Sequence, residues 1–361
     1  MLGGQRRMNH VRINKLWKLH SNEGKSFRKT ASERAIKITD KIIEFIVLDD
    51  QPLSVVENVG FCCLIEHLEP RYSLPGRKYI SETALPELYE TVREHISCQL
   101  KDVQTISFTT DIWSSDAAPL SLLSLTAHWV DTVTPSSFTL QSAVLQANEF
   151  RGSHTGTSIA ESIEGMLVKW NISKSRVHVI LRDNTRNMKK AMAEMGVSSL
   201  GCFAHSLQLV VHEGLLSQRS VSDALANCRK IIGHFKHSPL ATTRLEDIQK
   251  DLKMPTKRLQ QDVVTRWNST FYMVERILEQ KRPISAYGAD HDLPATLTAN
   301  QWALLEKTVT VLAPFEELTK QISSSTSSVA EVIPSVTVLK RATCSGEPGG
   351  QRYKNNENYP S

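Results

Sequence analysis

The chain has 361 residues, 40% of them hydrophobic and 22% charged, proportions of an ordinary globular protein with room for two domains and a sizeable core. Its longest apolar runs, such as residues 120–130, are broken by Ser and His and are too short to cross a bilayer, so no membrane partner is expected. The formal charge is +5, and cysteines at 62, 63, 98, 202, 228 and 344 show no CxxC spacing, which argues against a disulfide framework and for reduced thiols in an intracellular compartment.

Residues 1–34 read as a basic, disordered arm. Through residue 37 the sequence carries ten Lys/Arg against Glu23 and Glu33, a balance of +8 that leaves −3 for the remainder. Such an arm holds phosphate by counterion release without reading sequence, and serves nuclear import by the same charge; a solvated leader is the plain alternative. His10 and His20 have no upstream cysteine, so no zinc finger assembles here, and no apolar stretch follows Arg6 and Arg7 as a secretory signal would require.

Residues 35–103 are helical by period. Ile38, Ile42, Phe45 and Ile46 share one face, and Leu85, Leu88, Tyr89, Val92 and Ile96 share another, with Pro70, Pro75, Gly76 and Pro86 breaking the chain between them. From residue 104 the period becomes two. Ile106 and Phe108, then Leu123, Leu125, Ala127 and Trp129, then Phe138, Leu140 and Val144 alternate with polar or small neighbours, which predicts three antiparallel strands in succession. A helix with Ile159, Ile163, Met166, Leu167 and Trp170 on one face follows, then a fourth strand over 177–181, a helix over 184–195 and a short strand over 198–202.

Two acids sit directly after apolar strand residues: Asp111 in Thr110-Asp111-Ile112-Trp113 and Asp183 in Leu181-Arg182-Asp183-Asn184. Strand-end carboxylates clamp Mg²⁺ in phosphoryl-transfer sites, where the metal demands oxygen ligands. Each one alone is also an ordinary turn residue whose side chain bonds its own backbone.

Helical periodicity returns beyond residue 204, with Leu207, Val210, Val211 and Leu215, then Phe271, Val274, Ile277 and Leu278. Thr298 and Gln301 have capping-box spacing ahead of Trp302, Leu305, Val309 and Leu312. Two motifs lie in this stretch. Cys202 and His205 offer a thiol and an imidazole, but zinc needs two further ligands that no spacing supplies. Arg266-Trp267 has two readings: an exposed indole stacked on an unpaired base with the guanidinium on phosphate, or a Trp buried against the following helix with Arg266 capping it or pairing with Asp262. Residues 342–361, polar and rich in Gly and Asn, are expected to form a disordered tail.

Six stretches in order carry a resemblance. They are Leu53-Ser54-Val55-Val56-Glu57-Asn58-Val59-Gly60-Phe61; Leu68-Glu69-Pro70-Arg71-Tyr72 with Pro75 and Arg77; Thr110-Asp111-Ile112-Trp113-Ser114-Ser115; Asp183-Asn184 with Asn187-Met188; Cys202-Phe203-Ala204-His205; and Thr265-Arg266-Trp267-Asn268-Ser269-Thr270. From about residue 35 to about residue 340 the chain resembles the hAT superfamily of DNA transposases, and within it the transposase-derived part of vertebrate zinc finger BED domain-containing proteins. The resemblance implies an α/β, RNase H-like core over 104–216, a mixed five-stranded sheet with helices in which the first and fourth strands are neighbours and bring Asp111 and Asp183 into one site. It implies a helical module over 35–103 that touches DNA through Arg71, Arg77 and Lys78, and the start of an all-α insertion over 217–341. It assigns Trp267 to transposon ends, with Cys202, His205 and Asn184 as support near the acids.

Two departures from the family pattern stand out. Arg182 precedes Asp183 and Arg186 follows Asn184-Thr185, where small or hydroxyl residues are usual, and an arginine paired with a carboxylate competes with Mg²⁺. The third acid, a Glu on a helix after the insertion, has no counterpart before the pattern ends near residue 340, and Glu306, Glu316 and Glu317 belong to the insertion. The expectation is therefore a truncated or domesticated nuclear protein lacking the C-terminal half of its core, a DNA-binding or transcription-regulatory scaffold without strand transfer. DNA, a second copy or related hAT/BED proteins are its expected partners; no small-molecule substrate is expected, and Mg²⁺ serves only an active form. The alternatives are a Mg²⁺-dependent transposase or nuclease subunit whose third acid comes from another chain, and a marginally folded gene fragment.

Overall fold

The computed structural model describes residues 33–115, 120–134, 137–324 and 327–344; of the expected arm over 1–34 and tail over 342–361, residues 1–32 and 345–361 lie outside the described residues, while 33–34 open a helix and 342–344 close one. The chain divides between Gly201 and Cys202 into two compact units.

The first unit begins with α1 (Glu33–Leu48), a 3₁₀ segment (Leu53–Glu57) and α2 (Val59–Leu68). Ile42 and Ile46 of α1 pack with Val55, Val56 and Ile80, while the Phe45 and Phe61 rings stack with centroids 5.8 Å apart. A helical turn (Arg77–Tyr79) and a π-helical segment (Ile80–Ala84) lead into α3 (Leu85–Leu100). Pro86 falls at the junction of the π-helical segment with α3, where the Leu85 N–H reaches back to the Ile80 carbonyl, so the hydrogen-bond ladder is already shifted where the proline lacks its N–H.

The sheet follows the period-two prediction. Strands β1 (Ile106–Ser115), β2 (Leu120–Thr134), β3 (Ser137–Glu149), β4 (Val177–Arg182) and β5 (Ser199–Gly201) lie in the order β3-β2-β1-β4-β5. The first three pair antiparallel, and β1–β4 and β4–β5 pair parallel. This is the mixed five-stranded arrangement of an RNase H-like core. One face buries Ile106, Phe108, Leu123, Leu125, Ala127 and Ile180 against α4 (Gly156–Lys169) and α5 (Arg186–Met195). Each fully buried Ile, Leu or Phe contributes about 1.5–3 kcal/mol relative to exposure.

Strand β3 departs from its expected facing. Phe138, Leu140 and Val144 point outward, 66%, 62% and 49% exposed, while Leu145 is buried. Register sets this: Thr126 pairs with Val144 and Val130 with Leu140 on the side opposite the core, so Ala143 and Leu145 take the core side by alternation.

The second unit is all helical: α6 (Phe203–Val211) with a π-helical extension (His212–Leu216), α7 (Arg219–His237), α8 (Pro239–Asp251), α9 (Trp267–Glu279), α10 (Lys281–Asp290), α11 (Ala299–Ile322) and α12 (Val332–Cys344). Its main core joins Val211, Leu216, Leu225, Cys228, Trp267, Val274, Ile277, Leu305 and Leu312. The expected capping box at Thr298 and Gln301 is formed in both directions. Helix α6 was expected to close the sheet domain, but its apolar side chains have different neighbours. Leu207 packs with Leu318 and Leu339, and Val211 joins the second unit's core.

Candidate strand-end carboxylate site

The parallel pairing of β1 with β4 brings the two acids to one place in the first unit. Thr109 is opposite Leu181, so two residues further along Asp111 lies beside Asp183 on the same face; Asp183 follows the last residue of β4, whereas Asp111, expected at a strand end, lies within β1 opposite Ser124 of β2. Asp111 is exposed and Asp183 half-buried. Two carboxylates are the right donor chemistry for Mg²⁺, although they supply two of the six oxygen ligands that this ion takes. Among the described residues no group of three His, Cys, Asp or Glu is placed to hold a metal.

Asp183 is held by its own loop. One carboxylate oxygen, Oδ1, accepts from the Thr185 backbone N–H at 3.0 Å and from the Thr185 hydroxyl at 2.7 Å. Thr185 in turn is the N-cap of α5, accepting from the Met188 N–H at 3.4 Å. The β4–α5 connection therefore fixes the acid's rotamer and directs the remaining oxygen, Oδ2, away from Thr185. The sequence signal for this was a hydroxyl residue two positions after an Asp, the spacing of an Asx turn, and the sequence reading missed it.

Arg182 does not pair with the Asp183 carboxylate, which corrects the expected competition with Mg²⁺. Its side chain is buried on the opposite face of β4, donating to the Ser199 hydroxyl at 3.2 Å and to the Asp183 backbone carbonyl at 2.8 Å. Alternation along the strand separates neighbours 182 and 183 onto opposite faces. Arg186 is exposed at the start of α5. Asn184 lies over Gly201 at the end of β5: a Cβ there would meet the Asn184 amide oxygen at 2.2 Å, so only glycine permits this approach.

The remaining candidates stand on other elements. Arg71, Arg77 and Lys78 are exposed in the first unit, on the turn after α2 and at the Arg77–Tyr79 segment, with Lys78 4.0 Å from Glu82. Cys202 and His205 belong to the second unit, where Cys202 is the backbone N-cap of α6 and its carbonyl accepts from Ser206.

Trp267 is the clearest correction. It is 1% exposed and set edge-on to Phe271 and Phe315, so the indole is core and not a stacking platform, and its backbone N–H donates to the Gln208 side-chain oxygen at 3.0 Å. Arg266 is exposed and does not pair with Asp262. Asp262 is taken by Arg229 through two guanidinium nitrogens at 3.0 and 2.7 Å, with Thr270 at 2.9 Å and Gln261 at 3.2 Å. Burial opposes ionisation of Asp262, yet the Arg229 and Thr270 hydrogen bonds outweigh it and hold the carboxyl below the usual carboxylate range. The sequence offers Asp262 only as an alternative partner for Arg266; a salt bridge between residues 33 apart leaves no local signal.

Comparison with known proteins agrees with this layout. The amino-acid sequence matches the ZBED1 RNase-like domain over residues 109–200 and the ZBED1 RNase-like helical domain over residues 200–311. The seam falls beside the division between the two compact units. Human zinc finger BED domain-containing protein 4 is 36% identical over 314 residues, covering 85% of this chain and 27% of that protein. Mouse zinc finger BED domain-containing protein 6 is 30% identical over 331 residues, 88% of this chain and 33% of that one. A Zea mays protein named as an AC transposase is 27% identical over 256 residues, 65% of this chain and 30% of that one. The chain thus spans about a quarter to a third of the length of these relatives.

Proposed function

Because this chain belongs to the hAT transposase-derived, BED-like proteins, we propose that it serves in the nucleus as a DNA-binding or transcription-regulatory scaffold that keeps a transposase core without performing strand transfer. The observation that carries the reading is the structural use of the motif residues: Asp183 is bound into its helix cap by Thr185, and Trp267 is core. Two acids alone hold metal weakly and stabilise little of the charge that develops in phosphoryl transfer. The exposed Arg71, Arg77 and Lys78, with the basic sequence over residues 1–32, supply the phosphate contacts, and a second copy or a related protein of the family is the expected protein partner. Titration of labelled duplex DNA at several salt concentrations tests it. Binding that weakens steeply with salt is expected, and no binding at low salt removes the DNA role.

A second reading is favoured by the adjacency of Asp111 and Asp183 on one face: a Mg²⁺-dependent nuclease or transposase subunit whose third acid is contributed from elsewhere. DNA cleavage with Mg²⁺ that disappears in Asp111→Asn would establish it in place of the scaffold; inertness across divalent ions would leave the scaffold reading standing.

A further inference from the structure

The first unit has a surface that neither reading uses. Between α1 and α2 lies an open groove of about 440 Å³, within the roughly 300–1,000 Å³ of ligand-binding clefts. Its floor is apolar, made by Ile38, Ile42 and Phe45 of α1 with Phe61 and Ile65 of α2. Its rim is cationic, made by Arg34, Lys37 and Lys41. The helical period explains both: 34, 37/38, 41/42 and 45 recur every three or four residues, so α1 sets an apolar row beside a basic row along one face.

No carboxylate lines the groove. The three cations are engaged outside it, Arg34 with Glu69, Lys37 with Glu33 at 3.0 Å and Lys41 with Glu44. Lys37 and its partner Glu33 are 72% and 85% exposed, and an ion pair this exposed exchanges partners at little cost; Arg34 and Lys41 are 76% and 71% exposed, so each can take a further carboxylate while keeping Glu69 or Glu44. An occupant must therefore bring apolar surface for the floor and negative charge for the rim. Duplex DNA brings charge but no apolar side chain. The chain's own residues before α1 are strongly basic and meet like charge at the rim.

We propose that this groove docks a short peptide segment of a partner protein in which one or two large apolar side chains are flanked by Asp or Glu, the apolar groups lying over the stacked Phe45 and Phe61 and the carboxylates displacing Glu33 from Lys37 and joining Glu44 at Lys41. Peptide grooves of this kind take affinity from the anchors and orientation from the charges.

Fluorescence anisotropy with the full chain tests the proposal, using a labelled peptide of Glu residues flanking Leu and Phe, an analogue with Lys for Glu, an analogue with Ser for Leu and Phe, and labelled duplex DNA as competitor. The acidic apolar peptide is expected to bind, and both analogues to bind at least about tenfold more weakly. Lys37→Glu with Lys41→Glu is expected to weaken the peptide about tenfold with an unchanged circular dichroism spectrum, while the duplex still binds through other cations. If that reversal disturbs folding, the neutral pair Lys37→Ser with Lys41→Ser carries the same test with a smaller loss. Peptide affinity unchanged in the folded variant, equal binding of the Lys analogue, or displacement of the peptide by DNA would each overturn the proposal. So would a groove variant that changes the oligomeric state by sedimentation, which would assign the groove to a second copy.

Discussion

The acid motifs of β1 and β4 and the Thr265–Thr270 stretch ahead of α9 are both short motifs that mark the family, and the fold treats them in opposite ways. In β1 the distinctive side chain, Asp111, is left in solvent. Before α9 the distinctive side chain, Trp267, is 1% exposed and built into a core with Phe271 and Phe315. The acid lies within β1, opposite Ser124 of β2, and its side chain stays exposed. The indole stands at the first residue of a helix whose apolar face carries Phe271, Val274 and Ile277 into the same core. A motif thus identifies ancestry equally well in both places, while its chemical availability depends on what is packed above it.

This contrast can be broken most directly at Trp267. Trp267→Ala is expected to destabilise the second unit by about 3–5 kcal/mol, since it removes a large buried side chain and leaves a cavity; an unchanged melting curve would show that the indole is not core. Next in size, Asp262→Ala is expected to cost about 2–3 kcal/mol, because Arg229 is left partly buried and unpaired. The same ion pair predicts a pH dependence. The Asp262 carboxyl titrates below its unfolded value, so its contribution is complete above the unfolded Asp range near pH 4 and is lost as pH falls through the lower folded value. Urea denaturation between pH 6 and pH 3 should show this acid loss in the parent chain and not in Asp262→Ala.

The strand-end site should respond far less. Asp183→Ala is expected to cost about 1 kcal/mol through the lost Thr185 hydrogen bonds, and Asp111→Asn less than about 0.5 kcal/mol, as at an exposed position. A loss at Asp111 as large as that at Trp267 would erase the distinction between the two regions. The smallest effect is chemical. Cys228 is fully buried, and burial pushes its thiol up to about 12, so a maleimide should label exposed Cys63 in the native chain and reach Cys228 only on unfolding.

Much of the fold was legible because it rests on local periodicity. Ile106, Phe108, Leu123 and Leu125 alternate and are buried; Ile159, Ile163 and Leu167 recur at helical spacing and are buried; Thr298 and Gln301 form the box their spacing announces. The failures share a cause. The facing of Phe138, Leu140 and Val144 depends on the register of β3 against β2, and the partners of Arg182 and Asp262 lie 17 and 33 residues away. No local pattern encodes either.

The sequence by itself determined the elements, the family and the identity of the two acids, since periodicity and motif order are properties of the chain taken a few residues at a time. Tertiary structure alone decided which of those residues are available. Strand alternation turned Arg182 away from the Asp183 carboxylate, the Thr185 cap took one of that carboxylate's oxygens, and close packing at α9 enclosed Trp267. Availability is set by what distant segments place against a side chain, and that is settled only when the chain has closed upon itself.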